Sequence, residues 1–245
     1  MGKKVIFITL VVMLFLGCNE KKQEKISYTV GIDSNKIYPF GFLDEKTGEI
    51  SGFEHDLIVE IAKRAHLKLE FVECSFLLMM SKIKNKEIDM GIGIISITEE
   101  RKKIMKFSEP YIASQVVVLG NKENNLIDEK RVMYGITKGT YFKQLIDYKE
   151  NIDILEKIDT EEVIKELILK NIDYAIIDKG VADRYRDKYP ILYEKKFLKE
   201  DFIGIAFSSY LHNDFINKIL FILLEMQLDG SLDNLKKKYG IRMKE

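Results

Sequence analysis

The residues that could do chemistry in this chain are few and far apart. Arginine is scarce: Arg64, Arg101, Arg131, Arg184, Arg186 and Arg242 are all of it. Arg101 follows a strand-like segment, Ile88 to Ile92, and the turn Ser96-Ile97-Thr98. A guanidinium there can meet a carboxylate through two parallel hydrogen bonds, or it can open a helix at the surface. Thr98 is placed to cap that helix and aim backbone N–H groups at an anion. Ser96 offers a hydroxyl or a carbonyl to a cation. Asp178 closes the apolar run Tyr174 to Ile177. A carboxylate at the C-terminal end of a buried strand lies where open α/β sheets place ligands, and it can equally cap a helix from Gly180 onward. Gly139-Thr140-Tyr141 leads into a helix start, which presents N–H donors to a carboxylate and is also an ordinary capped helix. His55, His66 and His212 lack metal-ligand spacing, so no metal and no cofactor is expected.

These residues need a scaffold to bring them together, and the chain has material for one. It has 245 residues, 46% hydrophobic and 32% charged, enough for one large domain or two small ones. Lys+Arg and Asp+Glu are each 39, so no global basic field draws nucleic acid. The run Lys236-Lys237-Lys238 reads as a solvated helix face. Short apolar runs alternate with helical periods. Tyr28 to Ile32, Leu67 to Val72 and Ile88 to Ile92 look like strands. Phe53, Leu57, Ile58, Ile61, Ala62 and Ala65 repeat at helical spacing, as do residues from Leu77 to Ile83. Gln115 to Leu119, Val132 to Ile136 and Tyr174 to Ile177 continue the strands. Thr160 is placed to cap one helix, and Asn213 to start a long amphipathic one. The alternation predicts an α/β architecture. Only three prolines occur, and no low-complexity linker divides the folded part, so two lobes would be joined by strands.

The N-terminus predicts export. Lys3 and Lys4 precede a twelve-residue apolar run, Val5 to Leu16, closed by Gly17 and Cys18. A membrane span needs about 20 apolar residues. The pattern fits a signal peptide at residues 1–17, against the alternative of an uncleaved anchor helix. Leu14-Phe15-Leu16-Gly17-Cys18 resembles the bacterial lipobox, although Phe15 stands where a small aliphatic residue is usual. That resemblance implies a lipidated Cys18, with residues 18–25 as a polar tether to a membrane. Cys74 is then the other of the two cysteines, and no disulfide framework or CxxC pair is possible. The mature chain would carry 37 basic and 39 acidic residues once Lys3 and Lys4 are removed.

The motifs add up to a known pattern. Tyr38-Pro39-Phe40 and Gly52-Phe53-Glu54-His55-Asp56-Leu57 open it. Ile88-Asp89, Ser96-Ile97-Thr98-Glu99-Glu100-Arg101 and Phe107-Ser108-Glu109-Pro110-Tyr111 follow. Gly135 to Thr140, Asp173 to Asp178, Gly204-Ile205-Ala206 and Asp229-Gly230 through Lys238-Tyr239-Gly240 complete it. In this order they resemble the bacterial extracellular solute-binding proteins of family 3, over residue 26 to the C-terminus. The resemblance implies a type II periplasmic-binding-protein-like fold: residues 26–113 plus 204–245 form lobe one, 114–203 form lobe two, and two crossover strands join them. It implies an amino-acid ligand in the cleft, with Arg101 on its carboxylate and Asp178 on its ammonium. Ser96, Thr98, Thr140 and Tyr141 would assist. Tyr38, Phe40, Phe76, Asp33 and Ile94 would shape the side-chain pocket, Ile94 standing where Gly or Ser is common. The implied action is that of a monomeric, lipid-anchored, non-enzymatic binding protein, periplasmic or at the outer cell surface, delivering its ligand to an ABC permease. Relatives of this fold also include cyclohexadienyl dehydratases and sensors. A dehydratase would need a general acid, for which Glu73 or Glu109 could be nominated. A murein-cutting relative would need a further domain, which is not expected in a chain ending at Glu245.

Overall fold

A computed structural model describes residues 27–33, 38–44, 46–124, 131–146 and 151–241. The expectations for residues 1–25, the signal peptide, Cys18 and the tether, lie outside it. Two five-stranded sheets dominate. The first contains β1 (Tyr28–Ile32), β4 (Leu69–Glu73), β5 (Met90–Ile92), β6 (Met105–Phe107) and β12 (Ala206–Ser208), in the order β4-β1-β5-β12-β6. β4, β1 and β5 run parallel, and β12 is antiparallel to both its neighbours. The second contains β7 (Ile112–Asn121), β8 (Val132–Thr137), β9 (Ile152–Lys157), β10 (Tyr174–Asp178) and β11 (Leu192–Ile203), in the order β11-β7-β10-β8-β9. A two-stranded hairpin, β2 (Phe42–Leu43) with β3 (Ile50–Ser51), stands apart from both.

Each helix follows from its apolar stripe and its ends. In α1 (Phe53–Ala65) the residues Phe53, Leu57, Ile58, Ile61, Ala62 and Ala65 are buried, as their spacing predicts. Glu54 and Asp56 in its first turn and Lys63 and Arg64 in its last complement the helix dipole. α2 (Phe76–Lys84) is capped by the Ser75 hydroxyl and buries Phe76, Met79 and Ile83. α3 (Glu99–Lys102) is one turn capped by Thr98. α4 (Thr160–Ile168) is capped by Asp159, not Thr160: the Asp159 carboxylate, one residue earlier, accepts from Glu162 N–H at 2.8 Å, and Thr160 becomes the first helical residue. α5 (Lys179–Lys188) is capped by Asp178. α6 (Asn213–Leu228) and α7 (Ser231–Lys238) pack against α1, and Ile216, Ile219, Leu223 and Met226 of α6 are buried. Among the described residues no helix is long and apolar enough to cross a membrane.

Two aspartates, Asp89 buried and Asp173 partly buried, tie strands to loops in matching ways. Asp89, fully buried, accepts from the Thr29 backbone N–H at 2.7 Å, from the Thr29 hydroxyl at 2.8 Å and from the Tyr210 hydroxyl. Asp173 accepts from the Met133 N–H at 2.8 Å and from Asn124 Nδ2 at 3.2 Å in the second sheet.

The chain passes between the sheets twice, before β7 and after β11, and the two passages pair. Ser108 N–H donates to the Ile205 carbonyl at 2.9 Å, and Tyr111 N–H to the Ile203 carbonyl at 3.0 Å. The pairing runs on as the antiparallel ladder β7/β11, from Ile112 opposite Ile203 to Asn121 opposite Leu192, interrupted by two register shifts. This double connector joins the two sheets through adjacent strands, the arrangement of a hinge.

Candidate functional site

A cavity of about 50 Å³ lies between the two halves of the molecule. From the side of the first sheet it is lined by Asp33, Phe76, Gly93, Ile94, Ser96 and Arg101; the other side supplies Thr137, Thr140, Phe142, Thr160, Asp178 and its neighbours Ile177 and Val181. The loops after β1 and β5 and the strand end of β10 put these groups there. That is the position at strand C-termini where α/β sheets expose polar groups to a ligand.

Arg101 is 8% exposed. Its Nη1 donates to the Ser96 carbonyl at 2.8 Å, and its Nη2 donates across the cleft to the Gly139 carbonyl at 3.1 Å. The Phe76 ring centroid lies 5.3 Å from Cζ. Burial lowers its pKa to about 10, with the Asp201 charge opposing that shift, so it stays cationic at neutral pH. Asp178 sits on the other wall. One of its oxygens accepts from the Ser114 hydroxyl at 2.7 Å and the other from the Gly180 N–H at 2.8 Å. Burial pushes its pKa up to about 6 against these hydrogen bonds. It is at once a helix cap and a wall of the cavity. Ser96 is also fixed: its hydroxyl donates to Asp201 Oδ2 at 2.7 Å.

Of the residues expected to form the site, Arg101, Asp178, Ser96, Thr140, Phe76, Asp33 and Ile94 line the cavity. Thr98 lies outside that lining, its hydroxyl accepting from the Arg101 N–H at 3.2 Å. Tyr141 is buried against Phe142, ring centroids 5.4 Å apart, and is likewise outside the lining. Tyr38 and Phe40 line a separate groove of about 740 Å³. Tyr38 stacks under the Arg184 guanidinium, 3.6 Å from Cζ to the ring centroid, and Phe40 is buried edge-on to Phe53. The Gly139 loop differs from a helix start. It enters only a four-residue 3₁₀ turn, Phe142–Leu145, and the Thr140 N–H is directed at the Thr137 carbonyl. Its contribution to Arg101 is therefore an acceptor, the Gly139 carbonyl. Gly139 has φ 84, and a Cβ there would meet Leu77 and Phe76 of α2 at 3.2–3.4 Å, so glycine permits the approach of the two halves.

Sequence reasoning missed Thr137, Phe142, Thr160 and Val181 in the lining, and Ser114 and Asp201 behind it. Asp201 lies in the charged strand β11, whose composition gives no pocket signal. Glu73 and Glu109 are exposed and outside the cavity, which leaves neither placed as a general acid there. Cys74, half-buried just before α2, has its thiol pKa raised by burial and by the charge of Asp33. Among the described residues no group of three or more His, Cys, Asp or Glu could hold a metal ion.

A guanidinium on one wall and a carboxylate on the other suit a small zwitterion. The comparisons point the same way. The model described as bacterial extracellular solute-binding proteins, family 3, matches residues 28–242. A probable histidine-binding protein of Campylobacter jejuni is 27% identical over 231 residues, covering 91% of this chain and 89% of the relative. A mutant of ArgBP from T. maritima superposes with a TM-score of 0.80 at 27% identity, covering 89% of this chain and 96% of the other. An ancestral arginine-binding protein bound to arginine gives a TM-score of 0.77 at 28% identity, covering 88% and 98%.

Proposed function

From the premise that this chain belongs to the bacterial extracellular solute-binding proteins, family 3, we propose that it captures a free amino acid outside the cytoplasm and delivers it to an ABC-type permease. The observation that carries this is Arg101 and Asp178 lining one cavity from opposite sides. The Arg101 guanidinium takes the α-carboxylate with its remaining N–H groups. Asp178 takes the ammonium, with Ser96 beside it. Both charges must be met, because an unpaired buried charge is very costly. Asp33 reads the side chain, a role in keeping with relatives named for histidine and arginine.

The lobes take residues 26–113 with 204–245, and residues 114–203. The two separate sheets and the strand pair between them support that division. Ligand contacts from both lobes stabilise the closed form, and the closed form docks on the permease. The protein acts as a monomer, and no bond is made or broken.

A thermal-shift panel of the twenty amino acids and close analogues tests the reading. At least one raises the melting temperature by several degrees. If none does, the reading fails. The chain is further proposed to be anchored by lipid on Cys18 after removal of residues 1–17. Cys18→Ser then moves the protein from the membrane fraction to the soluble fraction and abolishes labelling by palmitate. A variant that still sediments with membranes and still takes label argues against the anchor.

A further inference from the structure

We propose that Glu54 is a positioning residue that sets the floor of the ligand cavity and ties it to the hinge; this rests on the reading of the cavity as an amino-acid site. Glu54 lies in the first turn of α1 and is fully buried. Its Oε1 accepts from Gly93 N–H at 3.2 Å, from Ile94 N–H at 2.8 Å and from the Tyr111 hydroxyl. Gly93 and Ile94 line the cavity. Tyr111 belongs to the hinge, through its N–H on the Ile203 carbonyl. One oxygen atom thus joins the cavity wall to the connector between the sheets.

The backbone above Glu54 needs such an anchor. Ile94 has φ 51, in the left-handed region that a β-branched residue enters only when its surroundings hold it there. The residue before it is glycine at φ 153, where an added Cβ would meet Met79 Cε at 3.0 Å. Two consecutive N–H groups converge on Oε1 only because the chain turns in this way. The turn also presents the Ile94 side chain to the cavity. Released from Glu54, Ile94 relaxes toward ordinary backbone angles, and the wall moves with it.

Glu54 has a cost that packing alone does not justify. Its second oxygen has no hydrogen-bond partner among the described residues. Burial raises its pKa to about 7 despite the three donors on Oε1. An apolar side chain would remove that penalty but leave the Gly93 and Ile94 N–H groups and the Tyr111 hydroxyl without their acceptor, so Glu54 is kept for the donors it holds.

The test is calorimetric affinity for the amino acid that binds the wild type, with folding of every variant checked by circular dichroism. Glu54→Ala weakens binding about tenfold or more, whereas Glu54→Gln, which keeps an acceptor oxygen, stays within about threefold of wild type. In an Ile94→Gly background the cost of Glu54→Ala falls, because glycine adopts the left-handed backbone without help. Should Glu54→Ala not fold, Tyr111→Phe, which removes one donor, gives a loss of about threefold. Wild-type affinity in a folded Glu54→Ala or in Tyr111→Phe, or an equal Glu54→Ala cost in both backgrounds, makes Glu54 merely structural and overturns the inference. A wild type that binds no amino acid overturns the reading of the cavity, and the inference with it, before any variant is made.

Discussion

Replacing Arg101 by alanine abolishes amino-acid binding at any concentration near the wild-type Kd. The ligand that shifts the wild-type melting temperature leaves the variant unmoved, and calorimetry shows affinity lower by about 30-fold to several thousandfold. That range corresponds to about 2–5 kcal/mol for removing one partner of a buried, hydrogen-bonded charge pair. The size follows from the surroundings. Among the described residues Arg101 is the one guanidinium lining the cavity, and its carboxylate partner would be desolvated there. Two further contacts go with it, the Ser96 carbonyl on its own side and the Gly139 carbonyl across the cleft. The substitution therefore weakens closure as well as ligand contact. Arg101→Lys recovers only part of the loss, because an ammonium cannot offer two parallel donors to a carboxylate. If Arg101→Ala binds within threefold of wild type, the assignment of the carboxylate site is wrong.

The second large effect is a dependence of ligand-induced stabilisation on pH. The Asp178 pKa is raised from 3.8 to about 6, chiefly by burial. In the protein without added ligand, the folded state therefore holds a proton that the unfolded state has already released across that window. Stability from this group falls as pH rises from 3.8 to about 6, and the loss is complete above it. An ammonium placed against Asp178 reverses the situation, because the ionised carboxylate then has a partner. Ligand must displace the proton at low pH and finds the carboxylate ready at high pH. Affinity is accordingly about tenfold weaker at pH 5 than at pH 7.5, and the ligand-induced rise in melting temperature shrinks in step. Asp178→Asn, which cannot ionise, binds weakly at both pH values and flattens this part of the profile. The Glu54 pKa is raised to about 7, chiefly by burial and in small part by the Asp178 charge, so the comparison is made in wild-type and Glu54→Gln backgrounds. A profile that Asp178→Asn leaves unchanged would place the ammonium elsewhere.

Much of the fold was legible because its period is local. The stripe from Phe53 to Ala65 and the apolar runs of β1, β8 and β10 announce themselves within a dozen residues. β11 did not, because Leu192–Ile203 carries lysines and glutamates along a sheet edge and its register shifts twice against β7. Only a partner strand defines it. Arg101 and Asp178 could be singled out by residue type beside a recognisable strand or turn. Asp201, Ser114 and Glu54 act through partners 39 to 105 positions away in sequence order or through another element's backbone, and spacing carries no record of that. Tyr38 shows the converse. The family resemblance implied a pocket wall there; in the fold Tyr38 lies against the Arg184 guanidinium, a pairing between residues far apart in sequence.

The single thiol left when Cys18 is removed offers a practical return. Cys74 sits directly before the helix whose first residue, Phe76, lines the cavity, and its ionisation feels Asp33 on the same wall. A cation arriving beside Asp33 would ease that ionisation and quicken alkylation. An environment-sensitive dye on Cys74 would turn occupancy into an optical signal, making a Cys18→Ser form of this protein a reagentless sensor with its attachment point already in place.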